Sequence, residues 1–248
     1  MSRGAGQYQC SGHRGFSLVE LIVVIGILGY LIAMLLPSLT SARQVAVRTQ
    51  CAANLRQLGF AIESYAIENS GFVPRDCTLG RPDREPWMLL LAPYLGRKNP
   101  TLDDLSGIRL LQCPAHPVDG IPTGYVINSF AFESAPNWAP DGPIKRSAIA
   151  RSSELPWILE ACDAFSGSDP GGTVQQMIFG VQFHDAWHPD HLPHALQQRI
   201  SDDRHVRNTA NVLYLDCHVS VVRRGELRLE MFDDGVRKRA TPFPDTGN

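Results

Sequence analysis

From Phe16 to Leu36, twenty-one consecutive residues carry a single charge, Glu20. As an α-helix this run is roughly 31 Å long at about 1.5 Å per residue. That matches a bilayer hydrocarbon core of about 30 Å. A buried core helix would leave one polar face, and here almost every face is apolar. A secretory signal has a shorter apolar stretch, about 7–15 residues, followed by a small-residue cleavage site. The exit site on offer here, Thr40-Ser41-Ala42, is a poor one. The run reads as a membrane-spanning helix.

Glu20 is the feature that such a helix must explain. A carboxylate inside an apolar span costs on the order of a few kcal/mol and is usually retained for function. It lies four residues after Phe16. A cut between Gly15 and Phe16 would expose an α-amine, a positive partner whose pairing offsets the burial of both charges. Residues 1–15 are polar and carry Arg3, His13 and Arg14 with no acid. Arg43 and Arg48 follow the span, so basic residues flank both ends and charge alone does not orient it.

The segment Arg14-Gly15-Phe16-Ser17-Leu18-Val19-Glu20 resembles the prepilin-type cleavage and methylation motif of type IV pilin-like proteins and pseudopilins. The resemblance implies that a prepilin peptidase cuts after Gly15 and methylates Phe16. It also implies that Glu20 sets register between subunits and that the N-terminus is cytoplasmic. Pro37 matches the Pro that the family carries near the end of the apolar run. The implied partners are the peptidase, other pilin-like subunits, an inner-membrane assembly platform and membrane lipid. The implied role is a structural subunit without catalysis, in a type II secretion-like pseudopilus or, second, a type IV pilus. The alternative is a single membrane-tethered extracytoplasmic binding protein with a His-rich metal or ligand loop.

Pro37 removes a backbone donor and should loosen the helix. Beyond it, Leu55, Leu58, Ile62 and Tyr65 recur at three- and four-residue intervals, an amphipathic stripe that predicts packing on a domain. Asn69-Ser70-Gly71 predicts the stop, with Gly71 in a left-handed cap. Cys51-Ala52-Ala53-Asn54-Leu55-Arg56-Gln57-Leu58-Gly59 resembles the C-x-N-N-L-K-Q-I-G run of a pilin-like group abundant in planctomycetes, with Ala53 in place of the first Asn. The expected layout is a leader over 1–15, a transmembrane helix over 16–36, its amphipathic continuation over 37–70, and a globular domain over 71–248.

The domain reads as α+β with an antiparallel sheet. Residues 86–95 predict a short helix ending near Pro93. Strands are predicted over 108–113, 124–130, 155–161, 177–183, 211–215 and 219–223 from short β-branched or aromatic runs bounded by turn residues. Cys113-Pro114, Tyr125-Val126-Ile127-Asn128 and the run from Trp87 to Pro93-Tyr94-Leu95 resemble elements of the same group. His205, Asn211 and Asp216 resemble its C-terminal His…Asp-Gly motif. Ten residues separate His205 from Asp216 instead of nine, and Cys217 replaces the Gly suited to a tight hairpin. The turn is therefore expected to differ, or the thiol to have a partner.

The chemistry-bearing residues give no catalytic pattern. His184, His188, His191 and His194 have spacings that zinc tolerates. However, Pro189 and Pro193 oppose a continuous helix, and Asp185 stands where the Glu of H-E-x-x-H belongs. Asp103-Asp104, Asp202-Asp203 and Asp233-Asp234 are weak calcium signals, because calcium needs six to eight oxygens. No resident cofactor is expected, with calcium or zinc the cations to consider. The six cysteines show no C-x-x-C, which excludes zinc-ribbon and thioredoxin readings. Cys113 and Cys162 both fall at predicted strand ends and are a possible disulfide. There is no G-x-S-x-G elbow and no local Cys–His signature. A net charge of −2 does not suggest nucleic acid as the main partner, since phosphate binding needs a concentrated basic surface.

Overall fold

The computed structural model describes residues 17–74, 86–101, 103–117, 123–128, 145–149, 151–161 and 200–232. The chain divides into two units, Met1–Arg43 and Gln44–Asn248. Helix α1 spans Leu18–Glu68, with Pro37 inside it and no break there. Ser38, Thr40 and Ser41 donate hydroxyl hydrogen bonds to carbonyls of the preceding turn. In the first unit the apolar side chains from Leu18 to Leu39 are exposed. This helix is long and apolar enough to cross a membrane.

In the second unit α1 is amphipathic in the way the stripe predicts. Cys51, Asn54, Leu55, Leu58, Gly59, Ala61, Ile62 and Ala66 are buried. The helix stops at Glu68. Ser70 and Gly71 follow in the left-handed region, φ 56° and 83°, and the Gly71 amide closes on Ala66.

Four strands form an antiparallel sheet in the order β1-β2-β3-β4: Tyr125–Ile127, Pro156–Glu160, Thr209–Tyr214 and Val219–Arg223. The fold is α+β, one long N-terminal helix with an antiparallel sheet. Tyr125, Ile127, Trp157, Ile158 and Leu213 share a core with α1 and with Trp87, Met88 and Leu91 of the short helix α2 (Trp87–Leu91). Val126, Leu159, Val212, Tyr214 and Val222 form a second cluster with Ile200 and Phe232. The alternation of the two sets follows the period of two along a strand. It slips at Trp157–Ile158, where a register shift turns both toward the first cluster.

One expectation meets a different outcome. The strand predicted over 108–113 is instead a 3-10 turn, Arg109–Leu111. Its apolar residues Ile108 and Leu111 are buried all the same. The carbonyls of Arg109 and Gln112 are taken by the Asn54 side chain of α1 rather than by a neighbouring strand. The helix predicted over 86–95, ending near Pro93, is α2 to Leu91, continued by a 3-10 turn over Ala92–Leu95 that contains Pro93. The strand predicted over 177–183 lies outside the described residues.

Candidate functional site

Four buried side chains from four separate elements converge in the second unit. Cys51 comes from the buried stripe of α1. Cys113 follows the 3-10 turn, Glu160 closes β2, and His205 precedes β3. One ligand atom from each lies within 4.8 Å of all the others.

Glu160 is the hub. It pairs with Tyr125 across β1–β2, and its side chain is fully buried. Its Oε1 accepts from the Cys51 thiol at 2.9 Å and from the Asn211 amide and side-chain NH2, both at 3.2 Å. The Nε2 of His205 stands 2.7 Å away. Oε2 is buried with no hydrogen-bond partner, as is Oδ1 of Asn211. Cys113 Sγ lies 3.8 Å from His205 Nε2, and Cys51 Sγ lies 3.3 Å from the Tyr125 hydroxyl.

Local backbone holds each member in place. Asn54, one turn below Cys51, donates to the Gln112 carbonyl at 2.9 Å and so ties the Cys113 loop to the helix. Asn211 donates to the Arg48 carbonyl at 3.2 Å and ties β3 to the same helix. His205 forms a bridge with Thr209, and Arg207 and Asn208 inside that loop have φ of 61° and 53°. Two left-handed residues without glycine cost of order 1–3 kcal/mol each, so the surroundings must enforce them. Arg204 donates to the Ala161 carbonyl, and the Ser201 amide donates to the Glu160 carbonyl at 2.9 Å.

Gly124 is required by close approach. A Cβ there would stand 2.9 Å from the Cys113 backbone nitrogen. Gly124→Ala is expected to cost about 1–3 kcal/mol by overpacking, read as a lowered urea midpoint. A loss below about 0.5 kcal/mol would mean that the Cys113 loop moves freely.

The electrostatics are those of a compact acid–base cluster. The hydrogen bond with Cys51, joined by that with His205, outweighs burial and holds the Cys113 thiol down at about 6. The same Cys51–Cys113 bond, burial and Glu160 push the Cys51 thiol up. Burial disfavours a charged His205, but Cys113 and Glu160 outweigh it and lift the imidazole to about 9. Burial, with Cys51 and Cys113 nearby, pushes the Tyr125 phenol up. Cys113 and His205 are only 3% and 6% exposed. Buried thiols and imidazoles of this kind suit holding a group rather than attacking one.

The predicted residues divide. His205 and Asn211 meet at Glu160, whereas Asp216 serves the β3–β4 hairpin. There it accepts from the His218 amide at 3.1 Å, with His218 Nδ1 at 2.6 Å. Burial raises the Asp216 carboxyl, but these His218 contacts win and hold it below its usual range. Cys217 takes the left-handed turn position itself, φ 68°. Its thiol donates to Glu63 Oε1 at 3.2 Å and to the Gly59 carbonyl at 3.5 Å, so it has partners on α1. Cys113 carries no disulfide, and Cys162 lies outside the described residues. So do Gly15, Phe16 and the His184, His188, His191 and His194 segment.

Sequence reasoning missed Cys51, Cys113 and Glu160 as a group with His205. Successive members are at least 45 residues apart, so no spacing pattern exists to find. One local signal was available: Glu160 is an acid at the end of an otherwise apolar strand, where burial without a partner is costly.

At the other end of α1, the Glu20 carboxylate accepts from the Ser17 amide at 2.9 Å. Ser17-Leu18-Val19-Glu20 has the S-x-x-E pattern of a capping box. Glu20 is therefore a helix cap as well as the lone acid of the span.

Comparisons with known proteins place the resemblance at this end of the chain. The family described as "Prokaryotic N-terminal methylation motif" matches residues 10–36. That described as "Protein of unknown function (DUF1559)" matches residues 40–105. The chain is 36% identical over 74 residues to the type II secretion system core protein G of Pectobacterium carotovorum subsp. carotovorum, covering 28% of this chain and 47% of that protein. It is 36% identical over 66 residues to the type IV wide pilus major component PilA4 of Thermus thermophilus, covering 27% and 50%. It thus spans about half the length of the curated relatives it matches. No solved structure matches. The chain thus carries a prokaryotic N-terminal methylation motif on an apolar helix, joins it to an antiparallel sheet domain, and is similar over part of its length to pilin-like proteins.

Proposed function

We propose that this chain is a membrane-anchored pseudopilin, a structural subunit without catalysis of its own. A prepilin peptidase cuts between Gly15 and Phe16 and methylates the new amine. The apolar part of α1 then holds the subunit in the cytoplasmic membrane, with the N-terminus cytoplasmic and the sheet domain extracytoplasmic. Subunits assemble on an inner-membrane platform by trading lipid for helix–helix contacts. Glu20 of one subunit meets the Phe16 amine of the next. A type II secretion-like pseudopilus is the first choice of assembly, and a type IV pilus the second.

The observation that carries this reading is the uncovered apolar helix bearing one acid, four residues after Phe16 and inside a matched methylation motif. Intact mass of the membrane-extracted protein tests it. The expected species lacks residues 1–15 and carries one added methyl group. A protein still beginning at Met1, or beginning downstream of Leu36, would rule the pathway out.

A further inference from the structure

We propose that Cys51, Cys113, Glu160 and His205 form a structural zinc site that pins α1 to the sheet. The donors are two thiols, one imidazole nitrogen and one carboxylate, all from buried residues and all mutually within 4.8 Å. Mixed sulfur and nitrogen donors in a tetrahedral set select zinc over calcium or magnesium, which take oxygen.

Zinc bonds of about 2.0–2.3 Å in a tetrahedron place ligand atoms roughly 3.3–3.8 Å apart. The His205–Glu160 and Cys51–Glu160 separations of 2.7 and 2.9 Å are hydrogen-bond distances. These contacts open by less than about 1 Å when a cation replaces the shared protons, a side-chain adjustment without backbone rebuilding.

Two further observations point to a cation. Glu160 Oε2 is buried with no hydrogen-bond partner. An orphan carboxylate oxygen in such surroundings is costly, and a cation held by the same carboxylate would offset that cost. Around the four donors stands a second layer of the kind that orients ligands. Asn211 donates twice to Glu160 Oε1, and the Tyr125 hydroxyl faces Cys51. All four positions are filled by protein and closed to solvent, so the site is structural and leaves no vertex for substrate. Its ligands come from α1, the Cys113 loop, β2 and the segment before β3, so one ion would cross-link parts of the chain that no disulfide joins among the described residues.

Elemental analysis of detergent-extracted full-length protein, purified without added metal or an affinity tag of histidines, reads the proposal directly. The expected result is about one zinc per chain, as for a closed four-ligand site. It should fall to background in Cys113→Ser and in His205→Ala. It should be unchanged when His184, His188, His191 and His194 are all replaced by Ala. Should those variants fail to fold, the wild-type protein still decides. Cobalt exchanged into it should show thiolate-to-metal charge-transfer absorption and the intense visible bands of a tetrahedral ion. The proposal is overturned by absence of zinc, by copper or iron in its place, by cobalt spectra without thiolate, or by zinc lost only with the four loop histidines. It is equally overturned if Cys51 and Cys113 alkylate under denaturing conditions only after reduction, which would show a disulfide between them.

Discussion

In chelator-treated protein, His205→Ala is expected to lower stability by about 3–5 kcal/mol, the usual cost of removing one partner from a buried ion pair. Glu160 and His205 are 0% and 1% exposed at their side chains. With the imidazole gone, Oε1 loses its contact at 2.7 Å and keeps only the Cys51 thiol and the Asn211 donors. The control is Glu160→Gln in the same background. Gln keeps an acceptor oxygen for Asn211 and removes the uncompensated charge, so the double variant should be more stable than His205→Ala alone. That inversion is the signature of coupling in a double-mutant cycle. Urea unfolding followed by the fluorescence of the buried Trp87 and Trp157 measures it. A loss under about 1 kcal/mol for His205→Ala would show that the pair is not held as charges.

Glu20 should divide assembly from processing. Glu20 lies in the first turn of the span, where burial costs less than the roughly 2.5–3.5 kcal/mol of a carboxylate at a helix centre. If pairing with a neighbour's amine is worth about 2–3 kcal/mol, its loss weakens lateral association roughly 100-fold. The cap complicates Glu20→Ala, because that variant also loses the Ser17 amide contact. Caps of this kind are worth about 0.5–2 kcal/mol. Glu20→Gln separates the two effects, since Gln serves the same position of a capping box but carries no charge. Both variants should still be processed. Both should fail to enter sheared filaments or crosslinked oligomers, Glu20→Gln nearly as completely as Glu20→Ala. Normal assembly of Glu20→Gln would assign the residue to capping and remove the register role.

The helical elements were legible because their signals are local. A run of apolar residues, a three-and-four stripe ending at Tyr65 and the Asn69-Ser70-Gly71 stop need only neighbours in the chain to be read, and α1 ends at Glu68. Strands β2, β3 and β4 were equally plain, because β-branched runs between turn residues point to strands wherever they pair. The run 108–113 shows the limit. Its composition suits a strand, yet its carbonyls meet Asn54 of a distant helix, and that contact decides its shape.

The cluster at Glu160 lies beyond that limit altogether. Chain-local chemistry established the anchor, its one acid and the helix that follows, since each depends on residues within a few turns of one another. The meeting of Cys51, Cys113, Glu160 and His205 depends on strand pairing, on a bulge at Trp157 and on a strained loop at Arg207–Asn208. Those are outcomes of long-range packing. Residues so far apart in the chain become neighbours only once the sheet closes on the helix.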